Sequence, residues 1–327
     1  MHRNLELYGA PLARFIVVGV VVALCCWGVY RLLRRFRVGD EAASGYALIT
    51  PWLLGLLIFA AYPILFSLVL SFTRYSVLQP PEFVGLENYR RIFTADPNFR
   101  VAMKVTFAFA ALSVPLGMVA SLLTAMLLNT NVRLVGVWRT IYYMPSVLPA
   151  VSTALLWRWL LVPRGGLVNK LLGGLGLPEP GWFNDPQWVI PAFVLMSLQG
   201  AAGNNMVIFL AALKGVPAQL HEAAHIDGAG WWARFRHVTI PQISPVILYH
   251  LIMGIIGSMQ VFTQPMFIRT PGRSGLFYSV HIYRTGWEYL QMGYACALAW
   301  VLLIVILILT CLVLRGSRSL VYYEAAK

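Results

Sequence analysis

The chain has 327 residues, of which 59% are hydrophobic and only 11% charged, whereas soluble proteins carry roughly 25% charged residues. Basic residues outnumber acidic ones 25 to 12, but they sit mostly in short stretches between apolar runs, which points to anionic lipid headgroups and away from nucleic acid. Because apolar runs recur along the whole length, an ordinary soluble enzyme and a soluble domain behind a single anchor are both excluded.

Uncharged stretches close to the ~20 residues that cross the hydrocarbon core fall at about 13–33, 47–72, 101–128, 141–162, 189–213, 243–268 and 293–314. The expected fold is an all-α polytopic membrane protein with about seven transmembrane helices. In the first stretch the charge-free part, Phe15 to Tyr30, falls short of a full crossing unless Arg14 and Arg31 snorkel outward. Arg31, Arg34, Arg35 and Arg37 follow it and place that end in the cytoplasm. Residues 1–45 are thus a tail, an extra helix and a basic linker, and 46–327 are the main membrane domain. Seven crossings put 129–140, 214–242 and the tail after Leu314 on the cytoplasmic side. Pro51, Pro63, Pro115, Pro149 and Pro245 are expected to interrupt spans and to permit kinks around a cavity.

No Asp or Glu falls within any span, which argues against a proton- or sodium-coupled carrier. Gln199, Asn204 and Asn205 lie on the fifth span and Gln260 with Phe262 on the sixth. Amides beside aromatic faces suit a hydroxyl-rich solute, and they equally suit hydrogen bonding between helices. Arg158 reads as an interfacial anchor between two tryptophans, and His250 as a packing residue. Cys25, Cys26, Cys296 and Cys311 show no C-x-x-C spacing and read as packing residues.

The longest polar connection, Lys214 to Gln242, is far shorter than the ~100 residues of a typical soluble domain. The G-x-x-x-x-G-K-[ST] phosphate cradle is absent from the sequence, so energy from ATP must come through another chain. Within 214–242, Pro217 suits a first helical turn, residues 218–227 favour helix, and Gly228 and Gly230 break it. A second amphipathic stretch follows, with Trp231, Trp232 and Phe235 suited to the membrane interface, until Pro241 ends it. His221, Glu222 and His225 form H-E-x-x-H, which on a helix can share one zinc ion. A membrane zinc metalloprotease is therefore the alternative reading, although Asp227 is the only further ligand nearby.

A longer pattern overlaps this one. Glu222-Ala223-Ala224, three residues, Gly228-Ala229, eight residues, then Val238-Thr239-Ile240-Pro241 resembles the EAA loop of the membrane subunits of binding-protein-dependent ABC importers. FVGLENYRRIF at 83–93, RTIYYMPSVLPAVSTALLWRWLL at 139–161, GLVNKLLGGLG at 166–176, QVFTQPMFI at 260–268 and GYACALAW at 293–300 look like the carbohydrate-uptake branch, similar to maltose and glycerol-3-phosphate permeases. The sequence departs from that branch at Thr270-Pro271-Gly272-Arg273, where a T-x-G-G-P turn is usual, and in the histidines flanking the EAA core.

The resemblance implies the ABC importer type I permease fold in a bacterial cytoplasmic (inner) membrane, with the C-terminus cytoplasmic. It implies that the chain is no enzyme and forms half of a translocation path for a sugar, polyol or sugar phosphate. The implied partners are a second permease subunit in a heterodimer, two ATPase subunits that bind ATP and Mg, and an extracytoplasmic solute-binding protein. The chain itself is expected to hold no cofactor, metal or catalytic residue. Glu222, Ala223, Ala224, Asp227, Gly228 and Ala229 would couple to the ATPase, and Gln199, Asn204, Asn205, Gln260 and Phe262 are the candidates for the solute path.

Overall fold

The computed structural model describes residues 2–130 and 133–317, with residues 2–16 described by their backbone alone. The tail expected on the cytoplasmic side lies, from residue 318, outside the described residues. Two compact units result, Met1–Val69 and Leu70–Lys327.

In the first unit α1 (His2–Arg35) and α2 (Asp40–Leu56) pack through the small, buried residues Ala43, Ala47 and Thr50. Arg34 pairs with Asp40 across the turn at 2.8 Å. Most of the remaining large apolar side chains, including Val17, Leu24, Leu48 and Phe59, are exposed, as lipid-facing helices require. α2 passes through a five-residue π turn, Leu57–Ala61, into α3 (Tyr62–Ser71). Pro63 explains the turn: it cannot donate to the chain, and its ring would press on the carbonyl four residues back. Widening lets the Tyr62 amide bond to Leu57 O instead.

The second unit begins with an antiparallel hairpin, β1 (Thr73–Ser76) and β2 (Gln79–Phe83), which hydropathy does not announce. The amphipathic helix α4 (Glu87–Thr94) is clamped beneath it, since buried Asn88 donates to Ser71 O and Thr73 O, both at 2.9 Å. Ile92 on this helix is fully buried, while Phe93 and the preceding Leu86 are exposed.

α5 (Pro97–Leu128) and α9 (Val189–Gly215) form the central pair. Small residues bring them together: a Cβ on Gly117 would lie 3.2 Å from that of Ala201, and Ser121 Oγ donates to Ala201 O at 3.1 Å. Lipid tails are as apolar as leucine, so close packing of this kind, and not hydrophobicity, holds such helices together. Around the pair stand α12 (Ile240–Met259), α14 (Tyr278–Tyr283) and α15 (Met292–Ser317). Phe277 meets Phe109 and Phe193 edge to face at 5.2 and 5.1 Å, and Phe183 meets Phe193 at 5.1 Å, the favoured aromatic geometry. Buried Tyr278 is fixed at both ends, its amide on Thr106 Oγ1 and its hydroxyl on Leu298 O.

Among the described residues six helical stretches are long and apolar enough to cross a membrane: 17–35, 40–71, 97–128, 189–215, 231–267 and 292–317. The fourth expected span, 141–162, is built in pieces. α6 (Val135–Tyr143) gives way to a 3-10 turn, Met144–Val147, and α7 (Ala150–Leu160) follows, with the short α8 (Leu167–Gly174) after it. Pro145 and Pro149 are the cause, because Leu148, held extended before Pro149, cannot continue a helix. Pro51, Pro115 and Pro245 do not interrupt their spans as the sequence suggests; each sits inside a continuous helix. Pro241 likewise does not end the stretch before it. α11 (Trp231–Arg234) widens into a π turn, Phe235–Thr239, and runs directly into α12, with the Ile240 amide bonded to Phe235 O.

Candidate functional site

Two places concentrate the sequence candidates. The first is an elbow between α9 and α11. Pro217 starts α10 (Ala218–Ile226), where its missing donor costs nothing. The helix then stops in a closed loop of backbone bonds: the Gly228 amide donates to His225 O at 3.0 Å, and the Ala229 amide to Ala224 O at 2.9 Å. That pair of bonds requires a left-handed residue between them, and Gly228 supplies it with φ +77°. The elbow is therefore a defined turn rather than a loose loop.

On it Glu222, Ala223, Asp227 and Gly228 are exposed, while Ala224 and Ala229 are half-buried. Ile226, 86% exposed, adds an apolar knob between the two carboxylates that the sequence reading did not single out. Beside the elbow, Trp231 stacks on Phe235 at 5.7 Å with nearly parallel rings. His225 is exposed, whereas half-buried His221 lines a cavity of about 260 Å³ with Leu213, Trp231 and Arg234. Among the described residues no three His, Cys, Asp or Glu side chains gather where they could share a metal ion, so H-E-x-x-H has no third protein ligand here.

The second place is a cavity of about 560 Å³, within the usual range for small-molecule sites of roughly 300–1,000 Å³. Gln199 and Asn204 from α9 line it, opposite Ser146 and Thr153 from the broken α6–α7 segment. Phe109 and Phe193 supply aromatic faces, and Gln264 enters from α13 (Thr263–Phe267). None of the lining residues carries a charge. Gln199 Oε1 accepts a hydrogen bond from Trp157 Nε1, which orients its amide. α6 and the 3-10 turn can lie this close to α9 because position 203 is glycine: a Cβ there would stand 2.8 Å from Tyr142 O and 3.2 Å from Ser146 Cβ.

The other solute-path candidates lie elsewhere. Asn205, one residue round the helix, faces a smaller cavity of about 230 Å³ with Ser113 and His250. Gln260 is exposed at the end of α12, its backbone N–H donating to Gly257 O. Phe262 packs on Tyr283 at 5.3 Å. Ser146, Thr153 and Gln264, which sequence reasoning missed, belong to the larger cavity; the spacing of Pro145 and Pro149 was the available signal, since irregular backbone at membrane depth persists only where protein buries it or it lines a cavity.

A third cluster was not foreseen. Asp96 caps α5 by accepting from the Asn98 and Phe99 amides at 2.8 and 3.3 Å. Its other oxygen accepts from Tyr294 Oη at 2.8 Å and faces His281 Nε2 at 3.0 Å. Burial disfavours the charged carboxylate, but the hydrogen bond from Tyr294, the neighbouring His281 and the Asn98 amide outweigh it and hold Asp96 below its ordinary value.

Three comparisons bear on this architecture. Residues 99–321 match the sequence pattern of the family described as "Binding-protein-dependent transport system inner membrane component". The chain is 35% identical over 305 residues to the probable ABC transporter permease protein YesP of Bacillus subtilis strain 168, covering 91% of this chain and 98% of that one. It is 32% identical to the arabinooligosaccharides transport system permease protein AraP of the same bacterium, with 86% and 90% covered. It is also 32% identical to the lactose transport system permease protein LacF of Rhizobium radiobacter, with 84% and 94% covered. Among solved structures, a chain of a bacterial alginate ABC transporter, in complex with an alginate pentasaccharide-bound periplasmic protein, superposes with a TM-score of 0.75. That match has 26% identity and covers 89% of this chain and 97% of the other.

Proposed function

From its place in the family of binding-protein-dependent transport system inner membrane components, to which this chain belongs, we propose that it forms one half of the translocation path of an ATP-driven sugar importer. It is a multi-pass membrane transport subunit and not an enzyme. One observation carries the coupling. α9 is a single unbroken helix, Val189–Gly215, which bears Gln199 and Asn204 in the cavity wall and ends at the elbow. A displacement of the elbow therefore reaches the cavity through one rigid rod, as a switch between two cavity states requires. The elbow docks on a separate ATPase subunit through Glu222, Ala223, Ala224, Asp227, Gly228 and Ala229, and ATP and Mg are bound by that partner.

A sugar cargo is supported by the cavity's chemistry and by the relatives. Neutral amides, hydroxyls and flat aromatic faces suit the hydroxyl-rich ring of a sugar. Relatives named for arabinooligosaccharides and lactose agree with that chemistry. The neighbouring alginate transporter works with a periplasmic binding protein, and the same kind of partner delivers solute here, beside a second permease subunit. The membrane is the bacterial inner membrane, with the elbow and the C-terminus on the cytoplasmic side.

Reconstitution in vesicles tests this. With the second permease subunit, the ATPase and the binding protein present, sugar accumulates only when ATP is supplied on the elbow side. Uphill accumulation by this chain alone would overturn the reading. Within the active complex, Asn204→Leu removes a cavity amide and raises KM for uptake severalfold while ATP hydrolysis without solute is unchanged. Unaltered uptake kinetics would return Asn204 to packing.

A further inference from the structure

A second large cavity, of about 510 Å³, is left without a role. It lies at the helix ends away from the elbow. Asn98, at the start of α5, lines it, whereas Met126, near the other end of α5, lines the elbow cavity with Leu213 and His221. Its wall carries Arg269, Arg273 and Arg284 and contains no Asp or Glu. Among the described residues neither Arg269 nor Arg273 has a carboxylate within ion-pair distance. Arg284 has only Glu288, at 3.9 Å, which is too long for a hydrogen bond. His281, also in the wall, turns its Nε2 to Asp96.

The loop after Arg269, which carries Arg273, is ordered by its own bonds, and Arg284 enters from the π turn that follows α14. The Ser274 amide donates to Pro271 O at 3.2 Å and the Leu276 amide to Arg273 O at 3.1 Å. Gly275 lies against Thr270 so tightly that a Cβ would meet Oγ1 at 2.5 Å. Arg269 and Arg273, without a carboxylate of their own among the described residues, thus line one cavity with Arg284, and each guanidinium offers a planar pair of donors matched to carboxylate or phosphate. The concave shape and the volume suit a small ligand better than the flat surface of a protein.

Consecutive residues of one short helix line both cavities. On α13, Gln264 faces the central cavity while the next two residues, Pro265 and Met266, line the arginine cavity. The central cavity offers no charge, so selection for an anion has to be made elsewhere on the path. We infer that the arginine cavity is an antechamber for anionic sugars, in which Arg269, Arg273 and Arg284 take a carboxylate or phosphate carried by the solute before its rings reach the amides beyond α13. The inference rests on the sugar-importer reading.

The test uses the full chain in phosphatidylcholine nanodiscs, titrated calorimetrically with trigalacturonate, glucose 6-phosphate and neutral maltotriose. At least one anion binds tenfold or more tighter than maltotriose, with an affinity that falls as salt rises; which anion it is separates a uronate from a sugar phosphate. The paired variant Arg269→Gln, Arg273→Gln brings the anions down to the level of the neutral sugar at an unchanged melting temperature, and the paired Lys variant recovers part of the difference. Anions that bind no tighter than maltotriose, or that keep their advantage in the Gln variant, overturn the inference. It is equally overturned if the Gln variant weakens capture of the purified binding protein and leaves trigalacturonate affinity intact, because the arginines then form a protein docking surface. No ATPase or binding protein enters the sugar titrations, so a failure of ATP-driven uptake in the reconstituted system is read separately.

Discussion

Gly228→Pro is expected to leave the chain in the membrane and to abolish solute-stimulated ATP hydrolysis by the assembled complex, a loss of at least tenfold. Two faults act together. Proline cannot adopt the φ of +77° found at this position, and it lacks the amide that donates to His225 O. The closed turn opens, and on the proposed coupling an elbow that would push α9 as a unit becomes a segment that absorbs the displacement. Gly228→Asn is the informative control, because asparagine visits the left-handed region and keeps the amide; it retains most of the activity. Glu222→Lys tests the docking face without touching the turn, since this exposed carboxylate reverses sign against a basic partner surface. Normal solute-stimulated hydrolysis in both Gly228→Pro and Glu222→Lys would remove the coupling role from the elbow.

The second large effect is on stability. Asp96→Ala removes a helix cap, at about 1–2 kcal/mol, and strips a partner from two largely buried donors, Tyr294 and His281, at about 1–3 kcal/mol each. At about 2–4 °C per kcal/mol, a fall of roughly 10 °C in Tm is expected for the purified chain in detergent. The pH dependence has a definite sign. Asp96 is held below its ordinary value in the folded chain, so its charged form binds more strongly folded than unfolded. That contribution is complete at neutral pH and disappears as pH falls below about 4 and through the depressed folded value. Asp96→Asn keeps a cap acceptor and loses this acid-dependent step. An unchanged Tm in Asp96→Ala would mean that α5, α14 and α15 are held together without this carboxylate.

Most of the fold was legible where the signal is local. The spans follow from hydropathy, because a backbone in lipid must satisfy its own hydrogen bonds and so becomes helix wherever the side chains are apolar for long enough. The elbow follows from Pro217, Gly228 and Gly230, each of which acts on its immediate neighbours. Prolines were less transparent. The same residue type breaks the chain at Pro149, widens it ahead of Pro63 and Pro241, and is absorbed at Pro115. The hairpin at 73–83 carries no alternation of polar and apolar residues, and its second strand is exposed throughout.

The candidate site was legible as a set of residue types and not as an arrangement. Gln199 and Asn204 share a cavity while Asn205 turns to another, a difference of one residue on the same helix. Sequence alone determined that this chain lives in a membrane and that a glycine-broken turn joins two of its helices. Tertiary structure decided which amides face one another, that Asp96 meets His281 and Tyr294 nearly two hundred positions away, and that three arginines face a single cavity. The division has one physical reason. Water repels apolar side chains strongly enough to write membrane insertion into composition, but within lipid no such force turns one helix face toward another. Contacts as small as Gly117 against Ala201 set those rotations, and they exist only once the helices have met.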